Sequence, residues 1–462
     1  MLERVRIEGF RGFATEAVLE LAQPNGRIGS GLTIVVGPNN SGKSSLLEVF
    51  KYRRGYQSPS FNVGMRNRAS DSVRIQFEFS DRTETVRSIR PGSSESVLEN
   101  LQPDRDAFFY VPSRRYFQPS FGRGSPMGRG DFMTSYSSST QSRSPTISSF
   151  ENRLIGIERD QDRFNPLLRR VMPDVLNWSI DAHETGQHFL KFTSKERAHS
   201  SEGVGEGVIS LFVIISALYD SSPGETIIID EPELSLHPQI QRRVADLLAE
   251  FAADRQIVIA THSPFFISTE GLRQGARIAR TWDREDTIKI FQSDADAAAG
   301  ALRKLLTVNV NNPHVFGLDA KEAFFLEDRV LIFEGQEDVV LWPNVVEDFD
   351  GQNYNTYGWG AGGAANITNL CAVLSSLGYK RVGAVLDNDR PEDLESLGKA
   401  FPEYLFLSLP AGDIRTKPAV KPRPAKKGVL DEAMRVREEY RRALEEIHRN
   451  LNSYMDPVSP RG

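Results

Sequence analysis

The feature that most constrains this 462-residue chain is the run Gly37-Pro38-Asn39-Asn40-Ser41-Gly42-Lys43-Ser44, a complete G-x-x-x-x-G-K-S. Its glycines let backbone N–H groups curl around phosphate oxygens. Lys43 supplies a point charge to the β and γ phosphates, and the Ser44 hydroxyl can bind Mg²⁺. Such a loop has meaning only between a strand and a helix. Leu32–Val36 is a short apolar run before it and Ser44–Tyr52 reads as a helix after it, so the context is met. Gly37, Asn39, Asn40, Ser41, Gly42, Lys43, Ser44 and Ser45 are therefore the expected nucleotide-binding residues, with ATP and Mg²⁺ as cofactors.

Downstream, Gly207–Tyr219 reads as a buried helix, Thr226–Ile229 as a buried strand, Pro238–Phe251 as a helix and Gln256–Ala260 as another buried strand. Helices alternating with continuous apolar strands predict an α/β fold with a parallel sheet. The first of these strands runs into Asp230-Glu231-Pro232, delivering two carboxylates to the sheet's C-terminal edge, where ligands bind. Asp230 is expected to hold Mg²⁺, directly or through water, and Glu231 to orient or deprotonate the attacking water. His262 ends the second strand, where an imidazole could touch a γ-phosphate. Near the N-terminus, Arg4–Phe10 alternates like an edge strand and Val73–Phe79 like a further strand.

A second α/β set begins at Val330–Phe333, so the first module should end near residues 318–328. The strand ends at Glu334, with a helix near Asp338–Asp348, a glycine-rich turn at Gly358–Gly363 and a helix to Leu377. The strand Val382–Leu386 then runs into Asp387-Asn388-Asp389. Two strands ending in carboxylates can place Glu334, Asp387 and Asp389 around one hard cation, Mg²⁺ or Mn²⁺. Asp338 could help hold a second ion, and two ions roughly 4 Å apart would clamp the attacking and leaving oxygens of a phosphodiester.

Charge and cysteine usage limit the alternatives. A net charge of −6 excludes the whole chain as an electrostatic nucleic-acid binder, so DNA contacts must be local. Two segments qualify. Ser113–Arg153 has six arginines and no lysine, and residues 118–149 within it read as a mobile Ser/Gly/Arg-rich insertion. Arg415–Lys427 is Pro-rich with six basic residues and no acid. Each reads either as a backbone contact or as solvated or ion-paired charge. One cysteine, Cys371, excludes an internal disulfide and fits a reducing cytosol. The charged N-terminus is unlike a signal peptide, and the longest apolar run falls short of the roughly 20 residues that span a bilayer. A cytoplasmic protein with no membrane partner is expected. A charged helix at about Leu430–Asn450 closes the chain.

The ordered first set resembles the ABC ATPase superfamily, especially the branch shared by RecF, SMC and OLD (overcoming lysogenisation defect) proteins. Leu234-Ser235-Leu236-His237-Pro238 is similar to that branch's His-containing segment, and Ile7-Glu8-Gly9-Phe10-Arg11-Gly12-Phe13 to its N-terminal strand signature. The resemblance covers roughly residues 1–320. It implies a homodimer or higher homo-oligomer, with ATP held between subunits and a signature loop donated across the nucleotide. The counterpart is Ser201–Gly207, with Gly205 and Gly207 facing the γ-phosphate, although the usual LSGGQ pattern is absent. No glutamine is marked out as the Q-loop residue; Gln76 is the candidate.

The second set resembles a Toprim domain, and the fused ATPase points to the OLD family. That resemblance gives catalytic roles to Glu334, Asp387 and Asp389, and metal roles to these residues with Asp338. Downstream, Asp413 is a further ligand candidate and Lys417 or Lys426 a phosphate-stabilising one, in a segment short for the family. The implied organisation is an ABC-type ATPase domain at 1–322, a smaller α/β Toprim nuclease domain at 323–427, and a C-terminal helix and tail at 428–462. The implied function is an ATP-hydrolysing, metal-dependent DNA endonuclease in antiphage defence or DNA processing, with DNA and a companion defence protein as partners. The alternative is an ATPase sensor or scaffold whose Toprim domain is inactive. A structural-maintenance ATPase is disfavoured because no heptad run lies between Lys43 and Asp230. A topoisomerase would need a transesterifying tyrosine domain for which there is little room. The second module argues against a transporter subunit.

Overall fold

The computed structural model describes residues 1–53, 58–62, 64–102, 105–113, 120–122, 125–132, 150–173, 177–182, 184, 187–194, 197–200, 206–284, 286–292, 300–301, 304–305, 321, 324–325, 328–349, 351–388, 391–417 and 425–456. These form two compact units, Met1–Ile290 and Phe291–Gly462. Most of the expected insertion at 118–149 and most of the expected module change at 318–328 lie outside the described residues.

The first unit is built on a six-stranded sheet in the order β15-β14-β3-β13-β12-β7. Its strands are β3 (Leu32–Val36), β7 (Phe108–Val111), β12 (Thr226–Asp230), β13 (Gln256–Ala260), β14 (Arg277–Arg284) and β15 (Thr287–Gln292). From β14 to β7 every pairing is parallel. In β3, β12 and β13 every residue is buried. That is why they read as unbroken apolar runs rather than alternations: a parallel sheet is covered on both faces. Helices α1 (Lys43–Tyr52) and α4 (Glu206–Asp220) pack on β7 and β12. Around them lie α2 (Phe150–Glu158), α3 (Gln161–Val171), α5 (Pro238–Phe251) and α6 (Thr269–Gln274).

A second, antiparallel sheet has the order β2-β1-β4-β5-β6, from β1 (Leu2–Glu8), β2 (Ala17–Glu20), β4 (Arg74–Phe79), β5 (Thr83–Ser88) and β6 (Ser96–Glu99). One core joins Val5, Ile7, Phe77 and Val86 of this sheet to Leu46, Leu47 and Phe50 of α1 and to Ile228 and Val258 of the parallel sheet. The phosphate-loop helix is thereby gripped from both sides. The sequence reading of β1 as an edge strand is corrected here, because β1 lies between β2 and β4. Its polar alternates mark a charged face, not an edge. Arg4 pairs with Glu20 and Glu78, and Arg6 with Glu16 and Glu78.

The end of α1 is fixed by a buried ion pair. Arg53, 1% exposed, donates to both oxygens of Glu84 at 2.7 and 3.0 Å and to the carbonyls of Gln102, Arg105 and Asp106. A smaller sheet, β8 (Ser120–Gly122), β9 (Asn177–Ala182), β10 (Gln187–Ser194) and β11 (Arg197–Ser200), has β10 at its centre.

The second unit holds an all-parallel sheet, β17-β16-β18-β19, from β16 (Val330–Phe333), β17 (Asn355–Thr356), β18 (Val382–Leu386) and β19 (Leu405–Ser408). Its helices are α7 (Gln336–Val346), α8 (Ala364–Ser376), α9 (Pro391–Ala400) and α10 (Glu438–Met455). Leu444, Leu451 and Met455 of α10 share a core with Leu331, Phe333, Trp342 and Val385. The closing helix starts later than the expected Leu430. Asp431 accepts from the backbone N–H of Ala433 and Arg435, and Met434 takes φ 61°. This side-chain turn competes with helix and holds Leu430 in bridges to Arg415 and Val436. The segment Arg415–Lys427 begins and ends as paired backbone, Lys417 exchanging hydrogen bonds with Lys426 at 2.8 and 2.9 Å; residues 418–424 lie outside the described residues.

Candidate functional site

Between β3 and α1 the phosphate loop has the backbone its motif requires. Gly37, Asn40 and Gly42 have φ of 145, 61 and 90°. A Cβ on Gly37 would lie 2.4 Å from the Thr281 carbonyl oxygen, so only glycine fits there. Ser41 Oγ is 2.7 Å from Thr281 Oγ1, tying the loop to β14. Asn39 and Asn40 are exposed at the tip. Lys43 is buried and donates to the carbonyls of Gly37 and Pro38 at 2.9 and 2.8 Å. Burial lowers its pKa to about 8, against the opposing pull of Glu231, Asp230 and Glu233. Ser44 Oγ donates to Asp230 Oδ1 at 3.3 Å, so the two expected Mg²⁺ ligands are already neighbours. Ser45 receives a 3.4 Å hydrogen bond from Arg11, which also pairs with Glu48.

The carboxylates after β12 divide the work. Glu231 takes a left-handed φ of 49° and its N–H donates to the Ala260 carbonyl at 2.7 Å. Glu233, which the motif reading passed over, accepts from the His262 backbone N–H at 2.6 Å and from Thr261 Oγ1 at 2.7 Å. Burial raises its pKa. It fixes the end of β13 where His262 projects. The imidazole is pushed below its ordinary pKa, first by burial and then by Lys43, which keeps it neutral. His237 caps α5, its ring accepting from the Gln239 N–H. Gly207 opens α4 hard against the same segment: a Cβ would meet the Ser235 carbonyl oxygen at 2.4 Å. Gly205 and residues 201–204 lie outside the described residues. Gln76 sits inside β4, paired with Arg6 and Thr85 in the antiparallel sheet.

In the second unit, Glu334 and Asp387 follow adjacent parallel strands, β16 and β18. Asp338 lies in the first turn of α7, and Asp413 lies beyond β19. One carboxylate oxygen each from Asp338, Asp387 and Asp413 falls within 4.8 Å of the others. Glu334 acts electrostatically on both Asp338 and Asp387; Asp389 lies outside the described residues. Asp338 also accepts from the Gly335 N–H at 2.9 Å. Its pKa is raised to about 6, by burial first and then by Asp413 and Glu334. Asp387 is raised to about 7 by burial and by Asp338, Asp413 and Glu334. Its Oδ1 is buried with no hydrogen-bond partner. An oxygen-only donor set with an orphaned lone pair and accumulated negative charge fits a hard divalent cation. At the rim, Lys417 pairs with Asp413 at 2.6 Å and with Glu337 at 2.7 Å, and Arg415 pairs with Glu337 at 2.5 Å.

Comparison with known proteins bears on the first site most directly. The family described as "AAA domain, putative AbiEii toxin, Type IV TA system" matches residues 32–268, just over half of the chain. The chain belongs to this family. An OLD nuclease of Thermus scotoductus is 25% identical over 411 residues, covering 74% of this chain and 72% of that protein. A chromosome partition protein Smc of Desulfitobacterium hafniense is 42% identical over 57 residues, 12% of this chain and 4% of that protein. Among solved structures, an SMC head bound to the C-terminal winged-helix domain of ScpA aligns with 14% identity and TM-score 0.41, covering 63% of this chain and 97% of that one. The SMC head domain of Thermotoga maritima aligns with 16% identity and TM-score 0.37, with the same coverages. The chain is thus a P-loop ATPase of that AAA family, with sequence similarity to an OLD nuclease.

Three adjacent strand ends in the first site carry groups of the kinds that phosphoryl transfer uses: a glycine loop with a lysine, a hydroxyl beside a carboxylate, a second carboxylate and an imidazole. Two supporting residues escaped the sequence reading. Glu233 could have been noticed as a third carboxylate one residue past the proline. Thr281, some 240 positions from Ser41, leaves no local signal. In the second unit the missed residue is Glu337, hidden between two motif positions. Among the described residues, no helix is long and apolar enough to cross a membrane.

Proposed function

We propose that this ATPase is an OLD-type, metal-dependent DNA endonuclease whose second unit is a Toprim domain. The observation that carries the reading is the convergence of Asp338, Asp387 and Asp413, beside Glu334, at the C-terminal edge of a parallel sheet. Glu334, Asp338, Asp387 and Asp413, with Asp389 expected beside them, would hold Mg²⁺ or Mn²⁺. When bound, such ions polarise a phosphoryl oxygen and lower the pKa of coordinated water. Lys417 and Arg415 at the rim would meet the non-bridging oxygens of the scissile phosphodiester and leave their present carboxylate partners to do so.

In the first unit, Lys43 would leave the Gly37 and Pro38 carbonyls for the β and γ phosphates of ATP. Ser44 and Asp230 would hold Mg²⁺, Glu231 would orient the attacking water, and His262 would reach the γ-phosphate. Gly205 and Gly207 would face a nucleotide bound by a second copy. ATP-dependent pairing of two copies would then gate DNA cleavage, in antiphage defence or DNA processing and with a companion protein. The 25% identity to a protein named OLD nuclease supports this reading.

Plasmid cleavage with Mg²⁺ or Mn²⁺, with and without ATP, tests it. Wild type should nick or linearise the plasmid, Asp387→Ala should not, and Lys43→Ala should lose whatever part depends on ATP. ATP hydrolysis without cleavage under every condition would contradict the nuclease and favour a sensor whose second unit is inactive.

A further inference from the structure

One of the carboxylates that converge in the second unit is held by a lysine with two partners. Lys417 Nζ lies 2.6 Å from Asp413 Oδ2 and 2.7 Å from Glu337 Oε2, bridging the two. The partners differ in kind. The Asp413 side chain is 3% exposed, and one of its oxygens lies within 4.8 Å of oxygens of Asp338 and Asp387. The Glu337 side chain, in the first turn of α7, is 40% exposed and also pairs with Arg415 at 2.5 Å. A single ammonium thus reaches into the cluster and out to its rim.

The backbone that carries this lysine is fixed. Lys417 N–H donates to the Lys426 carbonyl at 2.8 Å and the Lys426 N–H returns the bond at 2.9 Å. Gly428 lies flat on the same strand, where a Cβ would approach the Arg415 carbonyl carbon to 2.1 Å. Thr416 Oγ1 accepts from the Gly428 N–H at 3.2 Å and from Arg437 at 3.1 Å. What can move is the side chain, a compact charge on a flexible four-carbon stem. A buried carboxylate needs a cation, a proton or donors to offset its lost hydration. An ammonium and a divalent ion can each serve Asp413, but two cations sharing one carboxylate repel each other.

We infer that Lys417 is a tethered stand-in for a divalent ion at Asp413: its ammonium holds that carboxylate until an ion takes it, and then passes to Glu337. The inference rests on the cation-site reading of the cluster and deepens it. Glu337 is the positioning residue that keeps the displaced ammonium at the rim, beside Arg415. Loading the ion and releasing the lysine toward a phosphodiester oxygen are then one event. The lysine also sets the affinity for whichever ion uses Asp413, because the ion must displace a charge already in place.

The test is Mn²⁺ binding to the nucleotide-free full chain, read from the electron paramagnetic resonance signal of free Mn²⁺ at one fixed pH. Lys417→Met should bind Mn²⁺ about tenfold more tightly than wild type, and Lys417→Gln should do the same. Lys417→Arg keeps the charge and should bind about as wild type does. Lys427→Met removes an equal charge from the same hairpin, where it pairs with Glu439 and not with the cluster, and should change affinity less than about twofold. Glu337→Gln should weaken binding in wild type and have little effect in the Lys417→Met background, since the receiving carboxylate matters only while there is an ammonium to receive. Equal or weaker Mn²⁺ binding by both Lys417→Met and Lys417→Gln would overturn the inference. A gain in Lys427→Met as large as in Lys417→Met would also overturn it, marking a general field and not a displaced ligand. If wild type binds Mn²⁺, Asp387→Asn does not and Lys417→Met is unchanged, the inference falls and the cation site stands. No binding by wild type or by Lys417→Met would remove both.

Discussion

At the phosphate loop of the unit Met1–Ile290 the buried Lys43 donates to the Gly37 and Pro38 carbonyls and is attracted by Asp230, Glu231 and Glu233. In Phe291–Gly462 the arrangement is inverted. Asp338, Asp387 and Asp413 converge beside Glu334, and of these Asp413 is paired at the rim to Lys417. In the first site the lysine's hydrogen bonds are already made before anything binds. It is a shaped cradle, and its ligand needs only to displace hydrogen bonds already made. The second holds more charge than it can stabilise, and the carboxyls of Asp338 and Asp387 answer by holding protons. A preformed anion cradle and an unsatisfied cation site place different demands on the chain around them. One is a rigid backbone with glycines at fixed φ; the other is burial and repulsion that a bound metal would relieve.

The two sites should be silenced separately by mutation, and a joint loss would break the contrast between them. Asp387→Ala should lower metal-dependent DNA cleavage by about a thousandfold, because it removes the carboxylate at the centre of the cation site. ATP hydrolysis should stay within about twofold, and Lys43→Ala should reverse the pattern for hydrolysis. Parallel assays of both activities on both variants check this. Joint loss in Asp387→Ala would mean that the sites are one.

Next in size is the rigidity of the first unit. Arg53→Met leaves buried Glu84 only its contact with Arg82 and removes the donor to three backbone carbonyls beneath α1, and should destabilise that unit by about 3 kcal/mol in urea unfolding. The double variant Arg53→Met with Glu84→Met should recover much of the loss. A smaller effect is expected at Glu233, which touches no phosphate but fixes His262. Glu233→Ala should reduce ATP turnover about tenfold with little change in nucleotide affinity. An unchanged turnover number would show that His262 needs no such support.

The smallest effect is on pH dependence. Asp338 and Asp387 keep protons in the folded chain up to about 6 and about 7, above an ordinary value of 3.8. Between these limits the folded state binds more protons than the unfolded one. Without metal, the stability the protons confer is complete below pH 3.8 and is lost as pH rises through 6 and 7. Asp387→Asn should flatten the slope, and saturating Mn²⁺ should flatten it too. Thermal melts between pH 5 and 8 read both.

Much of the scaffold was legible because buried parallel strands leave continuous apolar runs. Leu32–Val36, Gln256–Ala260, Val330–Phe333 and Val382–Leu386 stand in the structure with the bounds the sequence predicts. The residues at their ends were legible for the same reason, since Lys43, Asp230, His262, Glu334 and Asp387 punctuate those runs. What escaped was tertiary. Asp338 and Asp413 are already ligand candidates in the sequence, but that they meet Asp387 is decided only when α7 and the segment after β19 fold onto one sheet edge. Thr281 meets Ser41 only across β14 and β3. β1 looked like an edge because its charged residues alternate, and nothing local announces that β2 and β4 supply their partners. The closing helix starts later than the sequence suggests because Leu430–Arg437 has helical composition, while Asp431 binds the backbone a helix would need.

The central claim is that the second unit is built around a divalent cation. Calorimetric titration of the nucleotide-free full chain with Mn²⁺ near pH 6.5 tests it most directly. At least one ion should bind with release of protons, since Asp338 and Asp387 must discharge to ligate it. Asp387→Asn should abolish binding, and Lys43→Ala should leave it intact. No binding into the millimolar range, or binding that persists unchanged in Asp387→Asn, would contradict the account.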